Sequence, residues 1–154
     1  MSAKRKTCGD ERLIRDGPRL RLARMKRVTG LGGVFFKAND PDGLRDWYGK
    51  HLGLGTDEYG ATFKWRDFNE PEKEGYTVWS PFSKDTDYFE PSEKPFMINF
   101  RVANLEEILA QLKSEGVTVD AKTEDSELGR FGWIMDPEGN RVELWEPPPG
   151  PSKS

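Results

Sequence analysis

Two stretches of the chain share one pattern of apolar and polar positions. In GVFFKANDPDGLRDWYGKHLGL, Val34, Phe36 and Ala38 alternate with Phe35 and Lys37, the period of a strand. Asp40 then offers an N-cap with Pro41 at the first helical position. Leu44, Trp47, Tyr48 and Leu52 follow at helical spacing, and Gly53 stops the helix. In MINFRVANLEEILAQLKSEGV the alternation of Ile98, Phe100 and Val102 leads to Asn104, a second cap. Glu107 completes a capping-box-like pair, and Leu105, Ile108, Leu109 and Leu112 form the stripe before Gly116. Both stripes read as core-facing.

The two stretches superpose at a constant offset of 64 residues, which sets Phe36 on Phe100, Asp40 on Asn104 and Leu44 on Ile108. After each helix the pattern returns to strands. Leu54 to Glu58, Ala61 to Arg66 and Tyr76 to Pro81 follow the first, and Val117 to Ala121, Gly129 to Met135 and Asn140 to Glu146 follow the second. The segment EPSEKP, with Pro91 and Pro95, reads as the linker between modules 28–90 and 95–147. The expectation is an α+β domain over 28–147: two tandem βαβββ modules whose eight strands curl into a cup, with the helices on its outer face. Residues 1–27 read as a basic, disordered extension and 148–154 as a Pro-rich tail.

Charge sharpens that division. Residues 1–27 carry ten Lys and Arg against three Asp and Glu, leaving 14 against 24 in the remainder. The domain is therefore acidic, which argues against nucleic-acid binding by the domain itself. No apolar run reaches the length of a membrane span and the start lacks the apolar core of a signal peptide, so a cytoplasmic protein is expected. The single cysteine, Cys8, excludes an internal disulfide and any multi-cysteine metal site.

The stretch GRFGWIMDPEGNRVELWEP carries the most distinctive chemistry. Glu143 stands between Val142 and Leu144 in a strand, where a carboxylate needs an answering group. Together with the repeat, the stretch resembles the vicinal oxygen chelate superfamily, which includes glyoxalase I, extradiol dioxygenases and the fosfomycin and bleomycin resistance proteins. The resemblance runs from about Val28 to Pro147 and implies paired βαβββ modules around a concave sheet. In catalytic members four strand positions hold one divalent metal, and by position these are Gly33, Thr77, Met97 and Glu143. Only Glu143 suits a hard or borderline ion. The only histidine, His51, lies near the end of the first helix, where the helix dipole and partial burial account for it.

With Glu143 assigned to the cup by this resemblance, alternation places Phe35, Lys37, Thr77, Trp79, Met97, Asn99, Arg101 and Trp145 beside it as candidate ligand-binding residues. That surface is apolar and aromatic with a few separated polar groups, as small-molecule pockets are; the same aromatics would also serve as interior filling. Glu143 has three readings: an ion pair with Arg101 or Lys37, a general base, or a metal ligand. The expected function is capture of a small aromatic or conjugated ligand without the usual metal or another cofactor. The resemblance implies a homodimer, similar to the sequestering bleomycin-resistance-like proteins. The alternative is a glyoxalase-like lyase or isomerase that uses Glu143 and a divalent metal.

Overall fold

A computed structural model describes residues 27–150. Strand β1 (Val28–Ala38) leads into helix α1 (Pro41–Leu52), and then into β2 (Thr56–Asp57), β3 (Gly60–Arg66) and β4 (Glu74–Ser83). The second module repeats the order with β5 (Phe96–Val102), α2 (Leu105–Ser114), β6 (Thr118–Ser126), β7 (Gly129–Met135) and β8 (Arg141–Glu146). The strands form one open mixed sheet in the order β2-β3-β4-β1-β5-β8-β7-β6.

The caps behave as the sequence requires. The Asp40 carboxylate accepts from the Gly43 amide at 3.0 Å and the Asn104 side chain from the Glu107 amide at 3.1 Å. Gly53 ends α1 in the left-handed conformation, φ 66°, which a side chain would strain.

Within each module a parallel pair is the hinge of the design. β1 pairs with β4 and β5 with β8, and the antiparallel β1–β5 ladder joins the modules through the middle of the sheet. The helices cover one face. There Val102, Leu105, Ile108 and Leu144 form a buried cluster with Phe100, Leu109 and Val142 against it. The first module packs more loosely on that side. Tyr48 of α1 meets Trp79, and Trp79 meets Phe36, at centroid separations of 4.7 and 5.4 Å, and α1 has no fully buried residue.

The opposite face carries its own cluster, Phe89, Met97 and Trp133, flanked by Phe35, Phe82, Tyr88 and Phe131. Phe89 belongs to the connection between β4 and β5, yet it is wholly buried. That connection, of which only the EPSEKP end reads as linker in the sequence, is therefore a strap laid across the face opposite the helices. Phe82 stacks on Tyr88 at 17° and 5.6 Å, and Lys37 holds its ammonium 5.9 Å from the Phe89 ring centroid. The expected extension 1–27 lies outside the described residues except for Arg27, whose guanidinium makes two hydrogen bonds to Glu115 at 3.0 and 2.5 Å.

Candidate functional site

Strand register assembles the centre of the covered face. Gly33 lies opposite Asn99, Asn99 opposite Glu143, and Glu143 opposite Trp133, so these four side-chain positions form one row across β1, β5, β8 and β7. Glu143 is 1 % exposed. One carboxylate oxygen accepts from Asn99 Nδ2 at 2.6 Å, and the other accepts from Tyr88 Oη at 2.5 Å and Trp133 Nε1 at 2.9 Å.

The expected ion pair of Glu143 with Arg101 or Lys37 is therefore replaced by three uncharged donors. Neither cation can reach: Lys37 stands over Phe89 and Arg101 is held among aromatic rings further along β5. Burial pushes the Glu143 carboxyl above its ordinary value of 4.5, against the opposing pull of the Tyr88, Asn99 and Trp133 donors and of the Arg141 charge. Burial, with the neighbouring carboxylate, also holds the Tyr88 phenol well above its usual range. Asn99 Oδ1 is buried without a hydrogen-bond partner and sits where a Cβ on Gly32 would fall, which only glycine permits.

Register also corrects two sequence assignments. Val78 lies opposite Gly33 and Trp79 opposite Val34, so Thr77 and Trp79 alternate away from the Glu143 row. Trp79 contributes instead to the packing under α1, and the Thr77 hydroxyl donates to Leu31 O at 2.6 Å. The 64-residue offset carries Asn99 onto Phe35, and the residue that pairs with Phe35 on β4, as Glu143 pairs with Asn99 on β8, is Ser80. Ser80, not Thr77, is thus the first module's counterpart of Glu143, and its hydroxyl is committed to Tyr59 O. His51 is exposed rather than half-buried, with its ring 4.8 Å from that of Trp47.

Of the other candidates, Phe35 and Met97 are register partners inside the apolar cluster, and Met97 is fully buried. Lys37 lines a separate shallow groove beside the start of α1. Arg101 and Trp145 are together. The guanidinium carbon lies 4.8 Å from the Trp145 ring centroid, 5.2 Å from Tyr76 and 5.5 Å from Trp65. Arg101 opens on a cleft of about 690 Å³ bounded by Lys64, Trp65, Arg66, Glu74, Tyr76, Pro147 and Pro148. Sequence reasoning missed Trp65, Tyr76, Tyr88 and Trp133. Their aromatic character was visible, but their convergence depends on register and on the strap.

The donor set does not suit a divalent ion. Gly33 has no side chain, the Thr77 hydroxyl faces elsewhere, Met97 is a thioether sealed in the apolar cluster, and both oxygens of Glu143 are already engaged. Among the described residues no three His, Cys, Asp or Glu side chains come together as a cation site.

An open sheet of two βαβββ units joined at their first strands defines a small α+β domain of the vicinal oxygen chelate type. The model of the glyoxalase-like domain family matches residues 33–145, and the chain belongs to that family. No curated protein matches it in sequence. Among solved structures it is similar to methylmalonyl-CoA epimerase from Mycobacterium tuberculosis, with 20% identity and a TM-score of 0.53 over 81% of this chain and 92% of that one. A methylmalonyl-CoA epimerase variant from Streptomyces coelicolor, in complex with 2-nitronate-propionyl-CoA, gives 16% identity and 0.59 over 79% and 99%. The Mn(II)-bound glyoxalase from Novosphingobium aromaticivorans gives 19% identity and 0.51 over 78% of this chain and 39% of that one. Likeness at this identity establishes the shared fold. Among the described residues no helix is long and apolar enough to cross a membrane.

Proposed function

We propose that this domain captures a small, flat organic molecule in the cleft beside Trp65 and Tyr76, and does so without a divalent metal. The observation that carries the reading is the state of Glu143. It is the one carboxylate at the family's metal positions, and it is buried beneath Tyr88 with hydrogen bonds on both oxygens. That leaves the face's centre sealed and its flank open, with two aromatic rings beside the opening. Trp65 and Tyr76 supply planar apolar surface for stacking, the usual lining of small-molecule sites.

Metal analysis of protein purified without chelator tests this directly. Zn, Ni, Mn and Fe are expected only in traces, and near-stoichiometric content of any of them overturns the reading. Thermal melting gives the same answer independently: added Zn, Ni or Mn should leave the midpoint unchanged.

The epimerase and glyoxalase likenesses support enzyme chemistry as the rival reading, with Glu143 as base and its raised pKa as the favouring observation. It requires the strap to lift, because the carboxylate is sealed while Tyr88 is seated. Association into a homodimer belongs to the same proposal, supported by exposed large apolar side chains such as Trp47, Phe63 and Phe68. Sedimentation should report twice the 17.6 kDa chain mass.

A further inference from the structure

Arg101 is an unusual cation. It is 9 % exposed, and its one hydrogen bond among the described residues, to Tyr76 O, is long at 3.4 Å. No carboxylate pairs with it among the described residues, although Arg27, Arg66, Arg130 and Arg141 all have one. Three aromatic rings surround it instead. Rings attract a guanidinium through their faces but leave its charge and most of its N–H donors unanswered. A cation taken out of water on those terms is costly unless something else completes it.

The cage is built to hold still. Trp65 donates its indole N–H to Thr77 Oγ1 at 2.9 Å, and its ring lies in the space a Cβ would need at Gly30 and Gly75. Trp145 donates to Leu128 O at 2.7 Å and stacks on Phe131 at an interplanar angle of 1°. Tyr76 meets Trp145 edge-on at 66°. Each ring around Arg101 is thus fixed by contacts that do not involve Arg101. The cleft's rim adds Lys64, and Arg66 with Glu74, an ion pair at 2.9 Å, so the lining is net positive although the described domain is acidic.

We propose that the molecule captured in this cleft is an organic anion, a planar carboxylate or a group of like charge, and that Arg101 is the residue that binds and orients it. A carboxylate presents two acceptors to the fork of a guanidinium, and the attached ring system lies along Trp65 and Tyr76. This rests on the reading of the cleft as the binding site and adds the charge of what it takes.

The test uses two probes of one shape, 2-naphthoate and 2-naphthamide, titrated into the full chain while the indole N–H signals are followed by NMR. Naphthoate is expected to move the Trp65 and Trp145 signals and to bind roughly tenfold or more tighter than the amide, the value of a charge-assisted hydrogen bond in a partly desolvated site. Its affinity should fall with added chloride. Arg101→Met fills the cage with an uncharged chain of similar length, and should abolish the preference while the Trp133 signal keeps its native position. Equal binding of both probes at Trp65 and Trp145 overturns the anion assignment and leaves the cleft standing as a neutral-ligand site. If neither probe moves those two signals, the cleft itself is not the binding site and both proposals fail. A preference that survives in folded Arg101→Met removes Arg101 from the role.

Discussion

A buried carboxylate can be stabilised by a cation or by neutral donors, and the choice decides how its removal is felt. Because three donors rather than a cation hold Glu143, Glu143→Gln strands no charge. The new amide oxygen accepts from Tyr88 and Trp133, and its NH2 donates to Asn99 Oδ1 once the Asn99 amide turns over, which exchanges one unpaired Asn99 atom for the other. Glu143→Gln should therefore stay within about 1 kcal/mol of the parent in denaturant unfolding at pH 7. Glu143→Leu leaves three donors unanswered and should cost roughly 3 kcal/mol or more. The pH dependence has a definite sign. The folded pKa lies above the unfolded one, so between the two values the native state binds more protons. Glu143's penalty is then absent below about pH 4.5 and grows as pH rises through the raised value. Glu115, Asp120 and Asp136, whose pKa values are lowered by Arg27, by the Lys122 amide and by Asn140 respectively, act in the opposite direction. The stability difference between parent and Glu143→Gln isolates the glutamate, and it should move in favour of the variant as pH rises from 4 to 7. A difference independent of pH would show that Glu143 does not titrate as the structure requires.

Elements were legible where their signals are local. The caps at Asp40 and Asn104 and the core-facing stripe of α2 need only neighbouring residues, and the structure has them; the stripe of α1 is helical as expected but does not face the core throughout, since Trp47 and Leu52 are exposed. Asn104→Ala should cost about 1 kcal/mol by the same measurement, the value of an exposed N-cap. Strand phase is different. That Thr77 and Trp79 share a face was readable, but which face depends on how β4 aligns with β1, and β1 carries two register shifts against β5 that no periodicity announces. The strap was illegible for a related reason. Tyr88 and Phe89 come just before the EPSEKP stretch read as linker, in a segment with no strand or helix period, and only the hollow they fill explains them. Close packing also makes a sharp test at Gly75, where a Cβ would come within 2.4 Å of the Trp65 ring. Gly75→Ala should push that ring into the cleft, shift its indole signal and weaken any cleft ligand, with Trp133 unmoved.

At the scale of the molecule, duplication was the feature the sequence displayed most clearly, since a 64-residue offset repeats strand, cap and helix in order. What duplication cannot display is how the copies diverged in their contents. The second helix buries Leu105 and Ile108, whereas the first buries nothing fully. Stability should accordingly be concentrated in the second module. Residues 1–24, whose expected role lies outside the described residues, precede the Arg27–Glu115 pair. A chain starting at Met25 retains that pair and should keep the parent's melting midpoint within about 2 °C and its sedimentation behaviour. A loss of several degrees would show that the basic segment contributes to the fold.

The strap across the sheet has a consequence for anyone who would turn this scaffold into a metalloenzyme. Grafting histidines at Gly33 and Met97, the obvious route by homology of position, places the first where even a Cβ meets the Phe35 ring at 2.6 Å and the Val78 carbonyl oxygen at 3.2 Å. The second would replace a thioether sealed beneath Phe89 and Trp133. Even with both imidazoles accommodated, Tyr88 and Trp133 already engage one oxygen of Glu143 and Asn99 the other, so an incoming ion would have to displace them. A retrofit must therefore begin with the connection between β4 and β5 and reach the ligands last, and laboratory selection that randomises only the four inherited strand positions should return no metal-dependent variants.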